Sequence, residues 1–453
     1  MSTMPQGSMK TILNNCTILD CAGSSTLRDR SITIVGGCIH EIGPARRCSN
    51  EEPGTDINII DVAGGFVIPG LWNVHAHPFD LFPDHENRLM TESAVECAIR
   101  AGRDLMDALR FGVTSVRVAG ERDFIDIAWR DAFESKMFPG PRIFACGHMI
   151  VCSAGHGWEW ANAVEVDGPF EVRRAVREQL RHGVDQIKIA ISDAAAEFLE
   201  DEIRAAVKIA HQKNILVCAH AGGAGMKAAL SAGVDCIEHG FPMDEEAIEM
   251  MKSADTFYDP TLTIYQDGAY LREMGLLSED GSANWTQCVQ LARKSEAVGR
   301  EFDVASRLIA GRIQIAQERN ISQQVARTHL EGVRMARDAG VKIVCGADVS
   351  PIGEFTLLEV EHLVRAGLTE TEALLAATRT SAELCGKVDT LGTIEAGKRA
   401  DLIVLDANPW ENIRAIWSQQ LVMKDGGVVS SSSRTKSSWL WHLISPDGVL
   451  HPG

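Results

Sequence analysis

The chain has 453 residues, 45% of them hydrophobic and 23% charged, which is the balance of a globular protein with room for one large domain or two. Its formal net charge of −18 repels phosphate backbones, so nucleic acid is excluded as an expected partner. No apolar run reaches the roughly 18 residues that a bilayer span needs, and the opening MSTMPQGSMK holds no apolar signal core, so a cytoplasmic chain with no membrane contact is expected.

Taken in chain order, residues 9–65 read as short strands joined by turns. KTILNNCTILD and RSITIVGGCIHEIG are rich in β-branched residues, and Gly36-Gly37 marks a turn between apolar pieces. From residue 71 the rhythm changes to apolar strands alternating with amphipathic helices. Strands are predicted at 71–77, 113–118, 142–146, 185–191, 215–220, 235–239, 256–261 and 342–348. Helices are predicted between them, at 92–110, 171–182, 200–213, 223–232 and 244–253. Glycines at 112, 183, 233 and 340 stand where helices should stop. Eight strands in a βα rhythm predict an α/β fold, a (β/α)8 TIM-like barrel over 66–389. An open doubly wound sheet fits less well, because no phosphate-binding glycine loop follows an early strand.

The segment 266–340 is too long for one crossover and reads as a helical insertion beside the barrel mouth, with helices over 285–318 and 323–338. Residues 390–430 return to strands and turns. They are expected to join 9–65 in a small β-sandwich domain made by both chain ends, with 431–453 as a tail. The twelve cysteines form no CxxC pair and read as free thiols in a reducing compartment.

The chemistry begins at LWNVHAHP. In a strand, residues i and i+2 share a face, so His75 and His77 project together. His220 ends the fifth predicted strand, His239 the sixth and Asp348 the eighth, while Lys188 lies within the fourth. Active-site groups of a barrel sit at the C-terminal strand ends, so these residues fall on one rim. Imidazole nitrogen and carboxylate oxygen are ligands for zinc and similar ions, and the set exceeds the three protein ligands of a usual catalytic zinc. The surplus points to two metals, able to activate a water and polarise a carbonyl. Lys188 in QIKIAIS is the odd member. Taken alone it reads as a lysine paired with a carboxylate or snorkelling at a strand end.

VIPGLWNVHAHP, QIKIAIS, VCAHAGG, CIEHG and VCGAD, in this order, resemble the amidohydrolase superfamily, and AATRTSAELCGKVDTLGTIEAGKRADLIVLDANPWENI resembles its closing segment. Within it the chain is most similar to the imidazolonepropionase-like, prolidase-type branch that includes the fungal ochratoxinase. The resemblance implies two divalent ions, with zinc as the expected metal, bridged by N6-carboxylysine at Lys188. His75, His77 and Asp348 would hold the more buried ion and His220 and His239 the other, with Asp348 moving the proton of the bridging water. The implied reaction is hydrolysis of an amide in a small molecule, by a homo-oligomer. Lactone or ester hydrolysis, decarboxylation, or a barrel that binds without catalysis are the alternatives. A deaminase pattern would place a glutamate at 223, where this chain has Gly223. His156, Trp158 and Tyr265 are the expected substrate contacts. One departure stands out: Gly222 replaces the branch's His or Tyr, which would open the pocket to a bulkier group or alter catalysis.

Overall fold

In the computed structural model, which describes residues 10–23, 25–46, 57–78, 91–191, 197–296 and 302–430, β-branched runs near the N-terminus become five strands. These are β1 (Lys10–Leu19), β2 (Thr26–Val35), β3 (Cys38–Pro44), β4 (Ile57–Asp61) and β5 (Phe66–Pro69). The next set is shorter and almost wholly buried, as befits strands covered on both faces. β6 (Leu71–Ala76), β7 (Val113–Val118) and β8 (Arg142–Phe144) form one parallel sheet. β9 (Met149–Val151), β10 (Ala163–Glu165), β11 (Gln186–Ala190), β12 (Leu216–Ala221), β13 (Cys236–His239) and β14 (Phe257–Asp259) form a second, in the order β10-β9-β11-β12-β13-β14. All of its pairings are parallel.

Backbone hydrogen bonds join these two sheets at both ends. Asp185 N donates to Ala145 O, past the end of β8, at 2.8 Å. On the other side the segment 342–348 lies between β14 and β6. Tyr258 N donates to Lys342 O and Val344 N to Tyr258 O, while Val74 N donates to Cys345 O and Asp348 N to His75 O. Trp72, Val74, Phe144, Cys218, Cys236 and Val344, drawn from both sheets and this segment, pack in one buried cluster. The predicted strand 342–348 carries only one isolated bridge, Tyr258 to Ile343, because its ladder is interrupted near Gly346 and Asp348.

Helices cover the outside. Ser93 and Glu96 form a capping box on the helix Ala94–Arg110. Gly183 (φ 82) and Gly233 (φ 89) close their helices in the left-handed conformation, as their positions predict. Helices Ile125–Glu134 and Ile352–Arg365 add to those expected.

The 266–340 region is helical, in four pieces: Leu262–Glu273, Trp285–Glu296, Phe302–Arg319 and Gln323–Asp338. The segment expected as one helix over 285–318 is helical on both sides of residues 297–301, which lie outside the described residues. Leu271, Leu277, Cys288, Ile309 and Ile313 give the insertion its own small core. Buried Asp267 ties it down, accepting from Arg312 Nε at 2.9 Å and lying 3.1 Å from His362 Nε2 on Ile352–Arg365.

The chain then returns as β15 (Leu402–Leu405), β16 (Gln419–Lys424) and β17 (Gly427–Ser430). β15 pairs with β5, so both chain ends share one eight-stranded sheet in the order β17-β16-β15-β5-β1-β2-β3, with β4 on β1. The strands expected to form the small β domain are thus hydrogen-bonded in one sheet through β5 and β15 and share one buried core. The tail expected at 431–453 lies outside the described residues. The described cysteines are free thiols.

Candidate metal centre

His75 and His77 leave the end of β6 together, with ring centroids 5.2 Å apart. Their Nε2 atoms lie 3.2 and 3.1 Å from the same oxygen, Oδ1 of Asp348. Asp348 is locked to this strand end: its N–H donates to His75 O at 2.9 Å, and Ser350 Oγ donates to His77 O at 3.2 Å. Buried Asp104 accepts from Ile352 N at 3.1 Å and so pins the start of the following helix.

His239 closes β13 and His220 lies near the end of β12, with their rings 4.4 Å apart. His239 (φ 64) and Asp348 (φ 59) both adopt the left-handed backbone, which non-glycine residues hold only under constraint. Thr261 (φ 47) supplies part of that constraint. Its hydroxyl donates to Pro260 O at 2.8 Å and lies 2.7 Å from Nδ1 of His239, so it accepts the imidazole proton.

The donor set suits a cation. Nδ1 of His75 faces Asp259 Oδ2 at 3.0 Å, and Nδ1 of His77 faces Gly120 O at 3.3 Å. A carboxylate and a carbonyl only accept, so each takes an Nδ1 proton and leaves Nε2 with its lone pair. Two lone pairs then converge on Asp348 Oδ1. Nε2 of His75 is buried and makes no hydrogen bond. Acceptors facing acceptors in a dry site repel unless a proton or a metal ion lies between them. Burial works against the proton: it lowers the His77 pKa and pushes His220 and His239 well below the ordinary imidazole value, helped at His220 by His156 and His239. Burial also opposes the charge on Asp348, and it is positive charge on the side of His75 and His77, from a proton or a bound ion, that holds its carboxyl well below the usual range. Ligand atoms of His75, His239 and Asp348 all lie within 4.8 Å of one another, the separation a single ion can bridge.

Lys188 is 2% exposed within β11, and its ammonium is paired with Glu238. That is the plain reading of this lysine as carboxylate-paired. Burial brings its pKa down to about 8. Glu238 also accepts from Arg117 Nη2 at 2.8 Å, and Arg117 Nη1 donates to Gln186 Oε1 at 2.9 Å. Arg117, Glu238 and Asp259 thus form a buried charged floor beneath the histidines. They are absent from the residues expected from sequence, although each is a lone charge inside an apolar strand, in VTSVRV, CIEH and FYD.

The cavity above this floor is lined by the six predicted ligand residues and by His156, Trp160 and Tyr265. His156 stacks on His220 with centroids 4.1 Å apart, and Tyr265 lies 6.1 Å from His239. Burial raises the Tyr265 hydroxyl pKa to about 12, keeping it a proton donor. Trp158 is 46% exposed and stands outside the residues that line this cavity. Gly157 (φ 65) turns the chain so that Trp160 folds back toward it, edge-on to His156 at 5.2 Å. Met149, Asn162, Ile264 and Arg319 complete the wall and carried no sequence signal, since each comes from a loop, a three-residue strand or the insertion.

Gly222 does not open the pocket. A Cβ there would stand 1.7 Å from Phe241 O, so the space of a side chain is filled by backbone. Gly222→Ala should therefore destabilise the protein, by about 1–3 kcal/mol, because the Phe241 carbonyl must move. Urea unfolding of the purified variant checks this, and an unchanged midpoint would show that the carbonyl yields freely.

Comparison with known proteins agrees with this arrangement. Ochratoxinase of Aspergillus niger is 29% identical over 395 residues, covering 79% of this chain and 73% of that protein. Its crystal structure matches with a TM-score of 0.74 at 25% identity, over 94% of this chain and 97% of that one. A probable imidazolonepropionase of Xenopus laevis is 23% identical over 415 residues, covering 85% and 83%. The crystal structure of a Xaa-Pro dipeptidase with bound methionine matches with a TM-score of 0.75 at 30% identity, over 92% and 99%. These neighbours imply the α/β TIM-like barrel fold. The family described as Amidohydrolase family matches residues 66–429, so the chain belongs to the amidohydrolase family, as a hydrolase acting on C–N bonds.

Proposed function

We propose that the protein is a binuclear metal-dependent hydrolase that cleaves an amide bond in a small molecule. The observation that carries this reading is the convergence of the His75 and His77 imidazoles on one oxygen of the Asp348 carboxylate, with His239 beside them. His75, His77 and Asp348 would hold one ion, His220 and His239 a second. Lys188, carboxylated on Nζ, would bridge them as an anionic ligand, which turns a buried ammonium into a useful charge. Zinc suits this donor set, and bound metal would supply an activated water and polarise the scissile carbonyl.

The chain's own residues do the rest. Asp348 accepts the proton of the attacking water and returns it to the leaving nitrogen. Tyr265 donates a hydrogen bond toward the substrate, and His156 and Trp160 contact it. In this reading residues 66–389 carry the site and the segments 9–65 and 390–430 brace it. The resemblance to ochratoxinase and prolidase-type structures supports a substrate of the peptide-like or natural-product amide class.

Metal content measured on protein purified without chelators, in the presence of bicarbonate, should be about two ions per chain, and Lys188→Ala should lower it to one or fewer. A wild-type protein that takes up no metal would sink the reading. A panel of N-acyl amino acids, dipeptides and lactones then identifies the bond that is cut.

A further inference from the structure

Granted that metal-dependent reading, we infer that Asp259 is a positioning residue that fixes the tautomer and the aim of His75. Asp259 ends β14, is 0% exposed, and places Oδ2 3.0 Å from Nδ1 of His75. Glu238, the other carboxylate nearby, is 3.9 Å from the same nitrogen and is engaged by Arg117 and Lys188. Arg117 Nη2 stands 3.8 Å from Asp259 Oδ2, and a carboxylate oxygen in that place is the acceptor for the imidazole N–H. The Nδ1 proton of His75 therefore belongs to this contact, and Nε2 is left to face Asp348.

Two features separate this role from a merely structural one. Asp259 Oδ1 is buried and makes no hydrogen bond, so as a structural residue it is poorly satisfied. And the strand alongside is shaped around the pair: a Cβ at Gly346 would come within 2.4 Å of both Asp259 Oδ2 and His75 Cβ. A buried carboxylate with one oxygen unmatched, given room by a glycine and aimed at a metal-ligand imidazole, is the arrangement that orients such a ligand and raises its basicity.

The test uses zinc alone as the probe. Full-length protein is titrated with Zn2+ against a chromophoric chelator. Asp259→Asn and Asp259→Ala should weaken the tighter site by about 10- to 100-fold while the melting temperature of the metal-free protein stays close to wild type. Wild-type affinity in both variants would overturn the inference and leave the metal reading standing, whereas a wild-type protein that binds no zinc would overturn both. Should the variants fail to fold, the unsubstituted protein decides. In zinc-loaded protein labelled with 15N-histidine, with the His75 signals assigned by their loss in His75→Gln, the Nδ1–H tautomer supports the inference. A proton on Nε2, or His75 ligating through Nδ1, overturns it.

Discussion

Asp348→Asn should lower kcat by about 10²–10⁴-fold on the best substrate of the amide panel, measured at saturating zinc. The amide keeps the shape of the carboxylate and its backbone bond to His75 O, so the melting temperature should hold. What it loses is the ability to take a proton. Positive charge on the side of His75 and His77 keeps the native carboxyl ionised against burial, and it is the one acid among the described residues that line the cavity. A kcat within tenfold of wild type would assign the proton transfer to another group.

Much of this site was legible in the sequence, and the reason is geometric. A barrel collects its chemistry at strand ends, so His75, His77, His220, His239 and Asp348 could be placed on one rim from the positions of apolar runs alone. Glycine stops made the register dependable, as at Gly183 and Gly233, both left-handed. What failed was what period-two or helical patterns do not encode. β9 and β10 have three residues each, too few for alternation to show. Trp158 and Trp160 stand two apart in a loop, and only the turn at Gly157 decides which faces inward. Gly222 read as missing bulk, whereas the Phe241 carbonyl occupies that place.

The strand 342–348 shows a more instructive mismatch. Its apolar run KIVCGAD predicts a regular strand, and its hydrogen bonds do run to both neighbours. The ladder gives way where function takes over. Gly346 yields space to His75 and Asp259, and Asp348 turns into the left-handed region to reach the two imidazoles. Local propensity loses there to the requirement that a carboxylate meet two histidines, which is where sequence-level rules are expected to fail.

The buried floor gives the other large effect. Arg117→Met should destabilise the protein by about 3–5 kcal/mol, the range for removing one partner of a buried ion pair. Methionine fills much of the volume, so the loss is chiefly electrostatic: Glu238, 0% exposed, forfeits the 2.8 Å bond from Arg117, and Gln186 keeps only the weaker Cys218 thiol as donor to Oε1. The effect should depend on what Lys188 is. While Lys188 remains an ammonium it still neutralises Glu238, and the variant is partly protected. Once Lys188 is carboxylated and engaged by metal it no longer pairs with Glu238 as a cation, and Arg117 is left to hold that carboxylate. Urea midpoints of Arg117→Met relative to wild type should therefore fall further in zinc and bicarbonate than in chelator. An equal loss under both conditions would mean that Lys188 keeps its positive charge, and the bridging role proposed for it would have to be abandoned.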